Sequence, residues 1–176
     1  CQWISRSTDG EIHPSLTLQG EGSARGIVAI KDISKGEMLI SLPAKLAVSG
    51  SQQPKAYGGI KVSNWLRCIA AYYEARQRGV YFQPYLKALQ ATDEALVDWS
   101  DEEIDVFLSG TRLGSLVQKD RANGVMESRF QEAIRPYLQH LSLVPAPKLS
   151  SIEEELEVFR EACMCVATRG FHLDNV

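Results

Sequence analysis

The chain has 176 residues, enough for one domain or a domain with an appended lobe and for a sizeable core. Its 44% apolar and 23% charged residues exclude disordered, collagenous and coiled-coil classes, and no run approaches the ~18 apolar residues of a membrane span. A net charge of −3 excludes wholesale binding along a phosphate backbone. The charge is uneven: residues 1–90 carry 11 Lys and Arg against 6 Asp and Glu, and residues 91–176 carry 8 against 16. A basic first half suits an anionic cofactor or partner; differing solvated helix faces produce the same asymmetry.

In chain order, residues 2–8 read as a short helix carrying Trp3 and Ile4, and Asp9-Gly10 as a turn. Leu16 to Leu18 alternates as a strand does. Gly20 to Gly26 is a glycine-rich loop, Ile27 to Ile30 a strand, Asp32 to Gly36 a turn, and Met38 to Leu42 a strand ended by Pro43. Residues 15–42 are therefore expected to form a small β meander. Residues 49–59, rich in Ser, Gln, Gly and Pro, read as a loop.

From Ser63 the period becomes helical. Trp65, Leu66, Ile69, Ala70 and Tyr73 mark one apolar face, and Gly79 suits the stop. Ser100 with Glu103 is a capping box ahead of Ile104, Phe107 and Leu108, followed by a break at Gly110. Residues 125–141 read as an amphipathic helix, with Pro136 expected to kink or break it. Pro145-Ala146-Pro147 reads as a linker. Ser151 with Glu154 is a second capping box, and Ile152, Leu156, Phe159, Cys163 and Val166 form the buried stripe of the last helix, with Gly170 at its end. The expected class is α+β: a small antiparallel β unit followed by an all-α part.

Signatures of common catalysts are missing: there is no G-x-S-x-G, no H-E-x-x-H and no P-loop. The acidic runs at Asp101–Asp105 and Glu153–Glu157 read as solvated helix starts, favoured by the helix dipole. Cys1, Cys68, Cys163 and Cys165 lack metal-ligand spacing and read as reduced, mostly buried thiols of an intracellular protein, and His13, His140 and His172 are scattered. No metal site is expected. The loop Gly20-Glu21-Gly22-Ser23-Ala24-Arg25-Gly26 precedes a strand rather than a helix, so it is not a dinucleotide fingerprint. It reads either as a hairpin connection or as backbone bared for close approach of a ligand.

Several segments come in a recognisable order. They are Trp3, Asp9 to Pro14, Ala24 to Ala29, Asp32-Ile33-Ser34-Lys35-Gly36-Glu37 and Leu42-Pro43, then Phe82-Gln83-Pro84-Tyr85-Leu86, Trp99 to Leu113, and Phe159 to Phe171. Together they resemble SET-domain protein methyltransferases of the rubisco large-subunit lysine methyltransferase branch, over nearly the whole chain. There are departures: Leu89-Gln90 stands where that branch has Leu-Pro, and Thr168-Arg169-Gly170-Phe171 where it has Ser-Arg-x-Phe. The branch's D-x-x-N-H segment and late catalytic tyrosine are not among these residues.

The resemblance implies the N-terminal part of a longer protein: residues 1–48 the N-terminal SET β segment with its leading helix, 49–150 the helical insert, and 151–176 a helix leading back into the SET fold. It implies S-adenosyl-L-methionine as cofactor and a lysine of a protein substrate as acceptor, with no direct contact to nucleic acid or membrane. Ala24, Arg25, Gly26 and Arg169 then bind the cofactor, Thr168 and Phe171 line the lysine channel, and no catalytic residue falls here. The piece alone is expected to be inactive. A non-catalytic SET-like interaction module and a protein-histidine methyltransferase of the same branch are the alternatives. The location implied is intracellular, with cytoplasm, nucleus and chloroplast equally open.

Overall fold

The computed structural model describes residues 10–20, 26–79, 82–89, 96, 98–144 and 151–169. The expected helix at 2–8, most of the glycine loop (21–25), the linker at 145–147 and Phe171 lie outside the described residues. The chain divides into two compact units, residues 1–48 and 49–176. The class is α+β.

The first unit holds two antiparallel strand pairs. Strand β2 (Leu16–Gln19) pairs with β3 (Gly26–Ala29), with Leu16 opposite Ala29 and Gln19 opposite Gly26. This hairpin is nested inside a second pair, β1 (Glu11–Ile12) with β4 (Ile40–Ser41). The expected meander is thus corrected: β4 pairs with β1, not with β3, and only Ile40–Ser41 of the run Met38 to Leu42 is strand. A strand exists where its backbone groups find a ladder partner, and the partner of Ile40 lies 28 residues back at Ile12, with the His13 amide donating to the Leu39 carbonyl at 2.8 Å.

The second unit opens with a folded strap where a loop was expected. Ser49 caps a 3₁₀ turn at Gly50–Gln52, its hydroxyl accepting from the Ser51 amide at 3.2 Å. A two-stranded hairpin follows, β5 (Ala56–Tyr57) with β6 (Ile60–Lys61). Its turn residues Gly58 and Gly59 take φ of +56° and +79°, the left-handed pair that a two-residue hairpin turn requires. Arg67, itself buried, pins the strap by donating to the carbonyls of Ser51 (2.9 Å) and Gln53 (3.1 Å). A Cβ at Gly50 would lie 2.8 Å from the Cys68 amide nitrogen, so only glycine lets the strap seat this closely.

The helices are α1 (Asn64–Gln77), α2 (Gln83–Leu89), α3 (Asp101–Leu108), α4 (Arg112–Ala122), α5 (Val125–Arg129), α6 (Arg135–His140) and α7 (Ile152–Arg169). Ser63 caps α1 and the full capping box of Ser100 and Glu103 starts α3. Helices α5 and α6 are one run interrupted by a π-helical turn at Phe130–Ile134. Pro136 explains it: the ring lacks an N–H and clashes with a carbonyl four residues back, and the wider turn relieves both without breaking the helix.

The core joins Ile69, Ala70, Tyr72 and Tyr73 of α1 to Phe130 and Ile134 of the π turn, Tyr137 and Leu138 of α6, and Phe159, Ala162 and Cys165 of α7. Phe130 stacks on Phe159 with centroids 4.9 Å apart. The stripe of α7 is rotated from the expected one: Glu155, Phe159, Ala162 and Cys165 are buried, whereas Ile152 is exposed. In α3 only Ile104 is buried, and Phe107 is exposed. No helix among the described residues is long and apolar enough to cross a membrane.

Candidate functional site

Gly26, the one described residue of the three expected to bind the cofactor from this loop, is the first residue of β3 and faces Gln19 across the hairpin. The strands on either side of the loop are thus the two arms of an antiparallel hairpin. A Cβ built at Gly26 meets no described residue within 4 Å. Among the described residues nothing demands glycine there, and none of them fills the space beside the Gly26 backbone. That room is compatible with the cofactor the sequence resemblance implies. Ala24 and Arg25 lie outside the described residues.

The segment Asp32 to Glu37 is held from within its own unit. The Glu37 amide donates to the Ser34 carbonyl at 3.2 Å. The Glu37 carboxylate is held below the ordinary carboxylate value, chiefly by the Ser34 side chain and then by His13. His13 Nδ1 accepts from the Ser15 amide at 3.1 Å, which leaves Nε2 to carry the proton it donates to Glu37 at 2.9 Å. The imidazole, scattered by sequence position, thus ties the turn before β2 to the turn before β4.

Thr168 and Arg169 close α7 in the second unit. The Thr168 side chain is exposed and its hydroxyl donates to the Met164 carbonyl at 2.7 Å. Position 169 lies seven residues past the buried Ala162, nearly two full turns, and so on the same helical line. Side-chain placement at Arg169, and Phe171 altogether, lie outside the described residues. Gly26 belongs to the first unit and Thr168 and Arg169 to the second, and each is described within its own unit.

Sequence reasoning missed the polar heart of the helical unit. Glu155, read as part of a solvated helix start, is buried and takes a bidentate pair from Arg135, with Nε at 2.5 Å and Nη2 at 2.9 Å. That hydrogen bonding raises the Arg135 guanidinium above its ordinary value. The Tyr73 hydroxyl donates to the Glu155 carbonyl at 3.4 Å. Burial raises the phenols of Tyr72 and Tyr73 and pushes the Cys163 thiol up to about 12, so none of the three serves as an anionic nucleophile near neutral pH. The spacing signal for Glu155 was available: it stands four residues before Phe159 and seven before Ala162. No group of three His, Cys, Asp or Glu side chains able to hold a metal ion occurs among the described residues.

N-lysine methyltransferase setd6 of Xenopus tropicalis is 27% identical over 141 residues, covering 73% of this chain and 31% of that protein. N-lysine methyltransferase setd6 of Salmo salar is 22% identical over 150 residues, covering 78% of this chain and 32% of that protein. N-lysine methyltransferase SETD6 of Mus musculus is 23% identical over 155 residues, covering 81% and 32%. The chain is related, at low identity, to N-lysine methyltransferases. It spans about a third of the length of these curated relatives. No protein-family profile matches it and no solved structure does.

Proposed function

We propose that the protein carrying this chain is an S-adenosylmethionine-dependent protein-lysine N-methyltransferase of the rubisco large-subunit lysine methyltransferase-like branch. In this reading residues 1–48 are the N-terminal SET segment, 49–150 the helical insert and 151–176 the return to the SET fold. The observation that carries it is the similarity to N-lysine methyltransferases over 73–81% of the chain.

When bound, the cofactor supplies an electrophilic methyl group. The rest falls to the chain. Backbone at Ala24, Arg25 and Gly26 lies along the cofactor, with the open space at Gly26 as the room for it. Arg169 offers the forked guanidinium that pairs a carboxylate through two parallel bonds. The Thr168 carbonyl accepts from the substrate amine and Phe171 lines its channel, where desolvation favours the neutral, nucleophilic lysine. The partner is a protein; neither nucleic acid nor membrane is part of the reading, and the setting is intracellular.

Calorimetric titration of S-adenosylmethionine into the protein carrying this sequence tests the reading, with Arg169→Lys beside it. Lysine keeps the charge and loses the fork, so the variant should weaken cofactor binding with little change in melting temperature. A folded protein that binds no cofactor, or a variant that melts early yet binds normally, refutes the assignment.

A further inference from the structure

His13 has every polar group it owns engaged. Its amide donates to the Leu39 carbonyl at 2.8 Å, and its carbonyl accepts from the Leu16 amide at 2.9 Å. Nδ1 accepts from the Ser15 amide at 3.1 Å, and Nε2 meets the Glu37 carboxylate at 2.9 Å. The His13 side chain is 17% exposed, and Ser15 is buried.

The local turn alone does not call for an imidazole. Pro14 stands second in a turn closed by the bond from the Leu16 amide to the His13 carbonyl. A side-chain acceptor for the amide two residues on is what Asn or Asp ordinarily supplies. The imidazole adds a donor on its far side, and that donor crosses 24 residues of chain to Glu37. One protonation state satisfies both bonds at once: neutral, with the proton on Nε2.

A second proton goes to Nδ1, the nitrogen that faces the Ser15 amide. The cation strengthens its hold on Glu37, while two N–H groups confront each other at the turn. The ring is then satisfied only if Ser15 lets go, and a buried amide without an acceptor is costly. Glu37 is the charged group that His13 meets; Glu11 of β1 and Lys31, Asp32 and Lys35 of the segment ahead of β4 stand exposed. The Ser15 carbonyl in turn accepts from the Ile30 amide at 2.8 Å, one step beyond the Leu16–Ala29 pair, so this turn is the base of the β2–β3 hairpin.

We propose that His13 is a proton-operated latch on the β2–β3 hairpin: neutral, it clamps the Pro14–Ser15 turn to Glu37; protonated, it keeps Glu37 and releases Ser15. Resting on the reading above, His13 is thereby a positioning residue for the cofactor, because the hairpin that it holds carries Gly26, and cofactor affinity falls on acidification.

The test spans the range in which imidazoles take up a proton, about pH 8 to 5. The protein carrying this sequence is compared with His13→Asn, which keeps an acceptor for Ser15 and has nothing to titrate, and with His13→Ala, which has no acceptor. Protection of the Ser15 amide against hydrogen exchange is read by NMR relative to its intrinsic rate at each pH. It should drop at least about fivefold from pH 8 to 5 in the unaltered protein, stay level in His13→Asn, and be low at both pH values in His13→Ala. Level protection in the unaltered protein, the same drop in His13→Asn, or full protection in His13→Ala overturns the latch. Calorimetric titration with S-adenosylmethionine at both pH values gives the second readout. The cofactor's own amino group titrates over part of this range, so the profile is read against that of His13→Asn. On acidification the Kd should rise at least about fivefold more in the unaltered protein than in that variant. A Ser15 amide that follows pH beside parallel cofactor profiles overturns the positioning role. A Ser15 amide that follows pH in a protein that binds no cofactor overturns the methyltransferase reading and leaves the latch standing.

Discussion

Replacing Glu155 by Leu would leave the Arg135 guanidinium without its carboxylate in a site where the two side chains are only 12% and 4% exposed. Coulomb attraction at such a site is weakly screened, and both bonds of the fork are lost together. Removing one member of a buried pair costs about 3–5 kcal/mol, most of it the cost of a buried charge with no partner. A unit of this size holds about 5–15 kcal/mol in all, so the change consumes at least about a fifth of its stability. At several degrees per kcal/mol the melting temperature should fall by about 10–20 °C. The double variant Arg135→Met with Glu155→Leu should recover most of that loss, because the desolvation cost leaves with the pair. Thermal melts of the four proteins of this double-mutant cycle, followed by circular dichroism, measure the coupling. A single variant shifted by less than about 4 °C, or a double variant as unstable as the single, would show that the pair behaves as a surface contact and refute the reasoning.

At the strap, Gly50→Ala should cost about 1–3 kcal/mol by overpacking against the backbone of Arg67 and Cys68, visible as an early melt; an unchanged melt would mean that the strap has room to shift. Glu103 is held below the ordinary carboxylate value, first by the Ser100 amide and then by the Ser100 hydroxyl. A carboxylate with a lowered folded value contributes stability above its unfolded value and loses it as pH falls through the folded one, so the start of α3 should loosen only on acidification through the Glu103 titration. Ser100→Ala should move that carboxyl's NMR titration upward, and an unmoved midpoint would contradict the capping geometry. Cys163, partly buried and with its thiol pushed up by desolvation to about 12, should resist iodoacetamide at pH 8 in the folded protein; peptide mapping that finds it alkylated as fast as a free thiol would contradict that shielding.

The helix starts were legible because capping is local: Ser63, Ser100 and Ser151 each accept from an amide three residues on. What escaped was held by distant partners. Glu155 looks like one of four glutamates at a helix start, and nothing near it announces Arg135, 20 residues back. Residues 49–59 look like a polar loop because their order comes from Arg67, although Tyr57-Gly58-Gly59-Ile60 carries a readable hairpin signal. The β1–β4 pair closes over an intervening hairpin, which no local alternation reveals. For the site, the order of motifs was legible, and Gly26 shows its limit. Glycine there reads either as part of a hairpin connection or as backbone bared to a ligand; the β2–β3 pairing shows the hairpin, and no described residue crowds a Cβ at Gly26.

That open space makes Gly26→Val the most direct measurement. Valine suits a strand and its Cβ meets no described neighbour, so the melting temperature of the protein carrying this sequence should stay level or rise slightly. Calorimetric titration with S-adenosylmethionine should show binding to the unaltered protein, weakened at least about tenfold, or 1.4 kcal/mol, in the variant, as the branched side chain takes the room proposed for the cofactor. Equal binding to both proteins would remove the cofactor from β3, and no binding to a folded, unaltered protein would contradict the methyltransferase assignment itself.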